Sequence, residues 1–403
     1  MDSYGSHCTE PTDQSGRFRK PQVTFFVTLF STILIVCGKV NFTNLSRYSE
    51  LDEKTYRRHF GAEFDFPSFN VELVKLAART EQALLLVMDS SFIAKSGKAT
   101  EGIDWYWNGC ASRVEKGLEI SLVSVVDVEA KTAYALSAQQ TLAQADIPCE
   151  ITRMDQYLYH LEAVRPHLPH QVRYLAVDGA YAKANFVGGA VECQLDVISK
   201  LRCDANLRYL YTGQQKTRGR PRKYDGKVNF TDLSRFTSVQ SLQPDVELYT
   251  QRVWHVSLKR EIRVARFIDR RSPHRVGTCL LFSTDVDQDP TQIVQFYKLR
   301  FQIEFLFRDA KQFAGLEDCQ ARDLTKLEFH FNACLTALNL AKVKAHPQHS
   351  EQERVPFSMA SVKRRALNQH LLDRFIATLD LEPTLIKSHP NYSTLCNYGI
   401  IAA

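Results

Sequence analysis

The first strong pattern is an apolar stretch at 23–37, interrupted by Thr24, Thr28, Ser31 and Thr32 and preceded by Arg17, Arg19 and Lys20. Basic residues before an apolar run outline a signal peptide or membrane span. The run is shorter than the roughly 20 residues a span needs and ends without a small-residue cleavage site. It is therefore expected to be a buried helix stopped by Gly38, with no membrane partner. Short helices are expected next at 41–48 and 52–60, the latter carrying Lys54, Arg57, Arg58 and His59. Three short helices with a basic last one suggest a helix-turn-helix unit whose final helix enters a DNA major groove; the plain alternative is a solvated basic helix.

From 83 the texture changes. The continuous apolar run 83–88 ends on Asp89, as a buried strand delivering a carboxylate from its end would read. Strands are expected at 118–126 and 132–137 around a turn at 127–131, then a helix at 151–167. A second apolar strand, 172–177, ends on Asp178 and Gly179, followed by a helix at 181–191 and a fifth strand at 195–200. The progression is then interrupted by a basic loop and by strand-like stretches at 247–258, 262–268 and 276–282. A long helix is expected at 291–313, with Pro290 suited to its first turn and Gly315 just past its end. The remainder reads as mostly helical, broken by a polar stretch at 346–356.

The fold class is thus α/β, with five strands and their helices outlining a layer of the ribonuclease-H-like kind. The expected organisation is a disordered tail (1–20), a helical DNA-binding domain (21–80), a catalytic core (81–200 and 286–322) interrupted by a β-rich insertion (201–285), and a C-terminal helical region (323–403). A near-repeat, 38–47 and 226–235, differs at one position of ten, Asn44 against Asp232. No solenoid period accompanies it, and similar local turns are expected at both copies.

Composition adds little until it is localised. Lys and Arg number 51 against 45 Asp and Glu, a net charge of +6, which suits a polyanionic partner. The ten cysteines are scattered without a C-x-x-C pair or zinc-like grouping, which argues against a disulfide framework and for a reducing cytoplasm. The sharpest charge cluster is 216–223, where Lys216, Arg218, Arg220, Arg222 and Lys223 surround an Arg-Gly-Arg-Pro centre similar to a minor-groove hook. DNA contact is expected there; the bland reading is a solvated loop.

An in-line displacement at a phosphodiester uses divalent ions held by hard oxygen donors. Each strand-end acid alone could be a turn former, but the long helix supplies a third. Tyr297, Arg300, Glu304 and Lys311, at offsets of 0, 3, 7 and 14, fall within a stripe about 60° wide at about 100° per residue. An Arg300–Glu304 pair at this spacing is also what a surface helix uses for a few tenths of a kcal/mol.

Tyr297, Arg300, Glu304 and Lys311 match the Y-x(2)-R-x(3)-E-x(6)-K signature, so the sequence resembles the hairpin-forming insertion-sequence transposases with a DDE triad. Asp89 in Met-Asp-Ser-Ser-Phe-Ile and Asp178 in Val-Asp-Gly-Ala-Tyr resemble that group's first and second acid motifs, and the likeness covers about 25–340. The resemblance implies a catalytic, metal-binding triad of Asp89, Asp178 and Glu304 loaded with Mg²⁺ or Mn²⁺. It implies that Tyr297, Arg300 and Lys311 hold phosphates at the transposon end, and that an aromatic residue of the insertion, for which Trp254 is the candidate, stacks a flipped base. It further implies cut-and-paste transposition through a DNA hairpin, duplex DNA at terminal inverted repeats and at the target as partners, a homodimer in the DNA complex, and a bacterial, nucleoid-associated setting. The alternatives are a ribonuclease-H-like nuclease without strand transfer and a non-catalytic DNA-binding protein descended from a transposase.

Overall fold

The computed structural model describes residues 20–77, 84–240, 245–272, 276–345 and 357–401. The polar stretch 346–356 and all but the last residue of the expected tail lie outside the described residues.

Four helices, rather than three, open the described chain: α1 (Lys20–Ile35), α2 (Phe42–Arg47), α3 (Glu53–His59) and α4 (Phe66–Ala77). Local caps start the last three. The side chains of Asn41, Asp52 and Asp65 accept from the backbone N–H of Asn44, Thr55 and Ser68 at 3.0, 2.6 and 3.0 Å, each worth about 1 kcal/mol. Gly38, at φ +81°, turns the chain after α1. One side of α1 is fully buried at Leu29 and Ile33 while Val23 and Val27 remain exposed. Phe25, Phe60 and Phe66 gather around Phe329 of a later helix, with ring centroids 6.4, 4.6 and 5.2 Å away. Each buried phenyl group contributes about 1.5–3 kcal/mol, so this aromatic hub fixes the small helices to the rest of the fold. Among the described residues no helix is long and apolar enough to cross a membrane.

The strands are β1 (Leu84–Ile93), β2 (Asp104–Asn108), β3 (Arg113–Asp127), β4 (Thr132–Gln140), β5 (Tyr174–Val177), β6 (Asp196–Lys200), β7 (Leu207–Leu210), β8 (Tyr224–Lys227), β9 (Thr237–Val239), β10 (Val246–His255), β11 (Arg260–Asp269) and β12 (Gly277–Ser283). They form one mixed sheet in the order β2-β3-β1-β5-β6-β12-β11-β10-β7-β8, with β4 also on β3 and β9 on β10. The strands of 201–285 therefore continue the same sheet, joined through the antiparallel β6–β12 pair. Four short strands, β2, β7, β8 and β9, were not anticipated.

Helices α5 (Arg153–Val164) and α6 (Ala184–Glu192) cover one face of the sheet; α7 (Pro290–Leu299), α8 (Gln302–Asp309) and α9 (Leu324–Ala345) cover the other with α1, and α10 (Met359–Thr378) packs outside α1. The alternation along β1 follows from this sandwich: Leu85 and Val87 enter the core on the α7–α9 side, Leu86 and Met88 the core on the α5–α6 side. Both faces are apolar, hence the unbroken run in the sequence.

The free edge of β4 is sealed by α9. Asn339 donates to the Ala135 carbonyl at 2.7 Å and accepts from the Ala135 amide at 3.0 Å. Asn332 does the same at Ala138, at 2.7 and 2.8 Å, and Lys342 donates to the Ala133 carbonyl at 2.7 Å. Amide side chains thus replace a neighbouring strand, one of the ways an edge is protected from unwanted pairing.

The expected single helix over 291–313 is a correction. The chain forms α7, tightens at Arg300 and Phe301, continues as α8 and ends in one π-helical turn, Ala310–Ala314, before Gly315 at φ +74°. At the break, hydrogen bonds span three residues instead of four: Phe301 to Lys298, Ile303 to Arg300 and Glu304 to Phe301. No Pro or Gly marks it in the sequence.

The near-repeat is a second correction. Residues 42–47 form α2 under the Asn41 cap, whereas 226–235 run from the end of β8 into turns, with the Val228 amide donating to Leu207 at 2.9 Å. The glycines agree in conformation, Gly38 at φ +81° and Gly226 at φ +89°.

Candidate active site

Two parallel neighbours deliver the first two acids. Met88 of β1 pairs with Val177 of β5, so Asp89 lies beside Asp178, the first residue after β5; Asp89 itself is not at a strand end as expected, because β1 runs on to Ile93 in pairing with β3. Alternation from Val87 and Ala176, both in the core beneath α7–α9, turns the two carboxylates to the same side. From that side α7 and α8 bring the stripe. Arg300 donates to Asp89 and to Glu304, both at 3.0 Å, and Tyr297 donates to Asp178 at 3.4 Å. Lys311 donates to the Phe92 carbonyl at 2.6 Å and pairs with Glu317 at 3.1 Å. Tyr297, Arg300, Glu304 and Lys311 thus share one front despite the break, because the tightened turn keeps α8 turning in the same sense.

The electrostatics are those of crowded carboxylates. Burial pushes the Asp89 carboxyl up to about 6, Asp178 and Glu304 push the same way, and Arg300 and the Ser90 amide oppose them. Burial disfavours the Arg300 charge, but Asp89, Tyr297, Asp178 and Glu304 outweigh it and hold its pKa above the ordinary value. The Tyr297 phenol is pushed up to about 12, by burial first and then by Asp178, so it remains a proton donor at neutral pH. Arg300 Nε is buried without a hydrogen-bond partner, as is the Tyr181 hydroxyl behind Asp89.

Three supports carry no spacing signal in the sequence. Ser199 donates to the Asp178 carbonyl at 3.0 Å, the Ser90 amide donates to Asp89 at 2.9 Å, and Glu317 reaches Lys311 only because the chain reverses at Gly315.

Other residues singled out from sequence lie away from this cluster. Lys54, Arg57 and Arg58 are exposed on α3, with Arg57 held by Glu53 at 2.5 Å. Lys216, Arg218, Arg220, Arg222 and Lys223 are exposed on the β7–β8 loop; Arg222 is tied to Asp225 and lies 4.6 Å over the Tyr211 ring. Trp254 is half-buried on β10, its ring 5.7 Å from Tyr224. Four strand spacings separate β10 from β5, about 19 Å.

Residues 82–340, more than half of the chain, match the family of the transposase DDE domain. The chain belongs to that family. No curated protein matches it. The matched segment of this DDE transposase holds the twelve strands found among the described residues and every member of the carboxylate cluster, and leaves α1–α4 and α10 outside. Transposases of the family generally use divalent metal ions, and three carboxylates offer the hard oxygen donors such ions take. Among the described residues no three His, Cys, Asp or Glu converge closely enough to hold an ion. Here the neutralising charge is the Arg300 guanidinium, bridging Asp89 and Glu304. The donor chemistry fits, with the Arg300 guanidinium lying between two of the three acids.

Proposed function

We propose that this transposase cuts and rejoins DNA by the cut-and-paste route of the hairpin-forming insertion-sequence group, with Asp89, Asp178 and Glu304 as its catalytic, metal-holding triad on a ribonuclease-H-like core. The observation that carries the reading is the β1–β5 register, which sets Asp89 beside Asp178 under the Tyr297–Arg300–Glu304 front. When bound to the triad, Mg²⁺ or Mn²⁺ activates the attacking oxygen and stabilises the leaving one. Arg300, released from the acids, presents its fork to the phosphate. Tyr297 donates a hydrogen bond from its O–H to the same group, and Lys311 adds a positive charge one helical segment further on.

Water first frees a 3′-hydroxyl at the element end; that hydroxyl attacks the opposite strand as a hairpin, a second water opens it, and the 3′-end then joins target DNA. The helical region 21–80, through Lys54, Arg57 and Arg58, and the 216–223 loop of the β-rich insertion hold the duplex, Trp254 stacks a flipped base, and two protomers bring the two ends together at the bacterial nucleoid.

The test uses labelled element ends, taken from inverted repeats flanking the gene, with the full chain in Mg²⁺. Nicks, hairpins and joined products are expected on denaturing gels, and Asp89→Ala, Asp178→Ala or Glu304→Ala should remove all three while end binding persists. Near-normal nicking by any of these variants would exclude that residue from the triad. Nicks without hairpins or joined products would favour a nuclease lacking strand transfer.

A further inference from the structure

The β2–β3 ribbon stands outside the carboxylate cluster, and neither the triad nor the basic loop uses it. Its register sets Trp105 opposite Lys116 and Trp107 opposite Val114. Alternation directs these four side chains to one face, and all four are exposed, Trp105 at 61% and Trp107 at 57%. Tyr106 between them points the other way. It is fully buried, its hydroxyl lies 3.1 Å from the Gly102 carbonyl and 3.0 Å from that of Thr141, and the Arg153 guanidinium sits 4.7 Å over its ring. The ribbon is therefore pinned through Tyr106 while it offers two indoles to solvent.

Trp105 and Lys116 also wall a cavity of about 1090 Å³ whose rim carries Lys39, Lys98, Arg113 and Arg322. The acids in its lining are already engaged: Glu115 with Arg113 at 2.7 Å, Glu317 with Lys311 at 3.1 Å, and Asp318 with the Val40 amide at 2.8 Å. Lys39, Lys98, Lys116 and Arg322 are exposed, so the cavity is electropositive. It adjoins the Lys311 end of the catalytic front, through Phe92 and Glu317. Phe92 lines it and accepts from Lys311, and Phe92 follows Asp89 by three residues, about 10 Å along a strand.

Lysines and arginines hold any phosphate backbone, but an exposed indole gains from stacking only on a base whose face is uncovered. In a duplex those faces are occupied by neighbouring pairs. We propose that the Trp105–Trp107 face and the adjoining basic cavity form a stacking platform for an unpaired DNA strand beside the scissile phosphate. The proposal rests on the transposase reading above and adds a subsite to it, distinct from Trp254.

The test measures binding of the full chain in EDTA, where no cleavage can occur, to a short oligothymidylate and to a blunt duplex. The single strand should quench tryptophan fluorescence, and a Trp105→Ala/Trp107→Ala variant, left with Trp254 alone, should lose most of the quench. Each single Ala variant should bind the oligothymidylate about tenfold more weakly, with Phe at either position restoring most of the affinity, since stacking is worth about 1–3 kcal/mol per base. Duplex affinity should change less than about twofold on the same scale. Unchanged quenching in the double variant, no loss of single-strand affinity, or an equal loss on both DNAs would overturn the platform. Asp89→Ala should quench as the unaltered chain does. Normal oligothymidylate binding by the Trp variants, with cleavage abolished by Asp89→Ala, would sink the platform alone; the reverse pair of results would sink the catalytic reading alone.

Discussion

Replacing Asp89 by Asn should stabilise the metal-free protein while abolishing catalysis. The fold raises this carboxyl from 3.8 to about 6, mainly by burial. Two units at 1.36 kcal/mol each amount to about 3 kcal/mol by which the ionised form is disfavoured on folding. The sign follows from proton binding: between about pH 4 and about pH 6 the native state holds more protons than the unfolded chain, so stability falls as pH rises through this window and stays lower above it. Asn removes the charge and keeps the shape. It can still accept from Arg300, which also keeps Glu304, but gives up the Ser90 amide or shares it, a loss of about 1 kcal/mol. The net gain should be about 2 kcal/mol near pH 8, shrink as pH falls through the window, and turn into a loss of about 1 kcal/mol near pH 4, where only the hydrogen-bond cost is left.

Urea unfolding followed by tryptophan fluorescence in EDTA, with unaltered and Asp89→Asn protein across that pH range, measures this directly. Adding Mg²⁺ should then raise the midpoint of the unaltered protein, because a ligand that binds only the native state stabilises it by mass action. Asp89→Asn should respond weakly. A variant less stable than the unaltered protein near pH 8, or a difference that does not change with pH, would show that the carboxylate is not held against its ionisation and refute the account of a crowded site.

Three further outcomes follow from the same structure. Asn339→Leu leaves both backbone groups of Ala135 unpaired on a buried edge and should destabilise by about 2–4 kcal/mol; an unchanged urea midpoint would mean that α9 does not seal β4. Combined Ala substitution of Lys54, Arg57 and Arg58 should alter stability by no more than about 1 kcal/mol, since the Arg57–Glu53 pair is exposed, yet remove discrimination between element ends and random DNA in mobility shifts. Retained discrimination would move recognition off α3. Ala at Lys216, Arg218, Arg220, Arg222 and Lys223 should lower the log–log salt slope of duplex binding by at most about 3–4, at about 0.9 per phosphate, because Arg222 is already committed to Asp225; an unchanged slope and affinity would leave a solvated loop.

What could be read in advance, and what could not, divides along physical lines. The strands bearing Asp89 and Asp178 were legible because a strand buried on both faces has no polar alternation, so each acid stands out where the apolar run stops. The Tyr297–Lys311 stripe was legible because helical period survives a local tightening. The break at Arg300 was not, since it needs neither Pro nor Gly and is expressed only in which carbonyl each amide chooses. β2 and β7–β9 carry no such signal, because three to five residues with exposed or charged positions show no apolar run or clean alternation, even where the pairing partner is the next strand.

The near-repeat makes the same point most sharply. Val40 and Val228 are both buried, yet the Val40 amide is taken by Asp318 and the Val228 amide by Leu207 of β7. The first partner leaves Asn41 free to cap a helix; the second draws the chain along a strand, and Asn229 closes a turn onto Thr231 instead. Local preference over ten residues is worth only a few kcal/mol, so the distant partner decides. The same holds at the catalytic front, where spacing nominated Arg300 as a neighbour of Glu304 but only the assembled sheet could make it the bridge to Asp89.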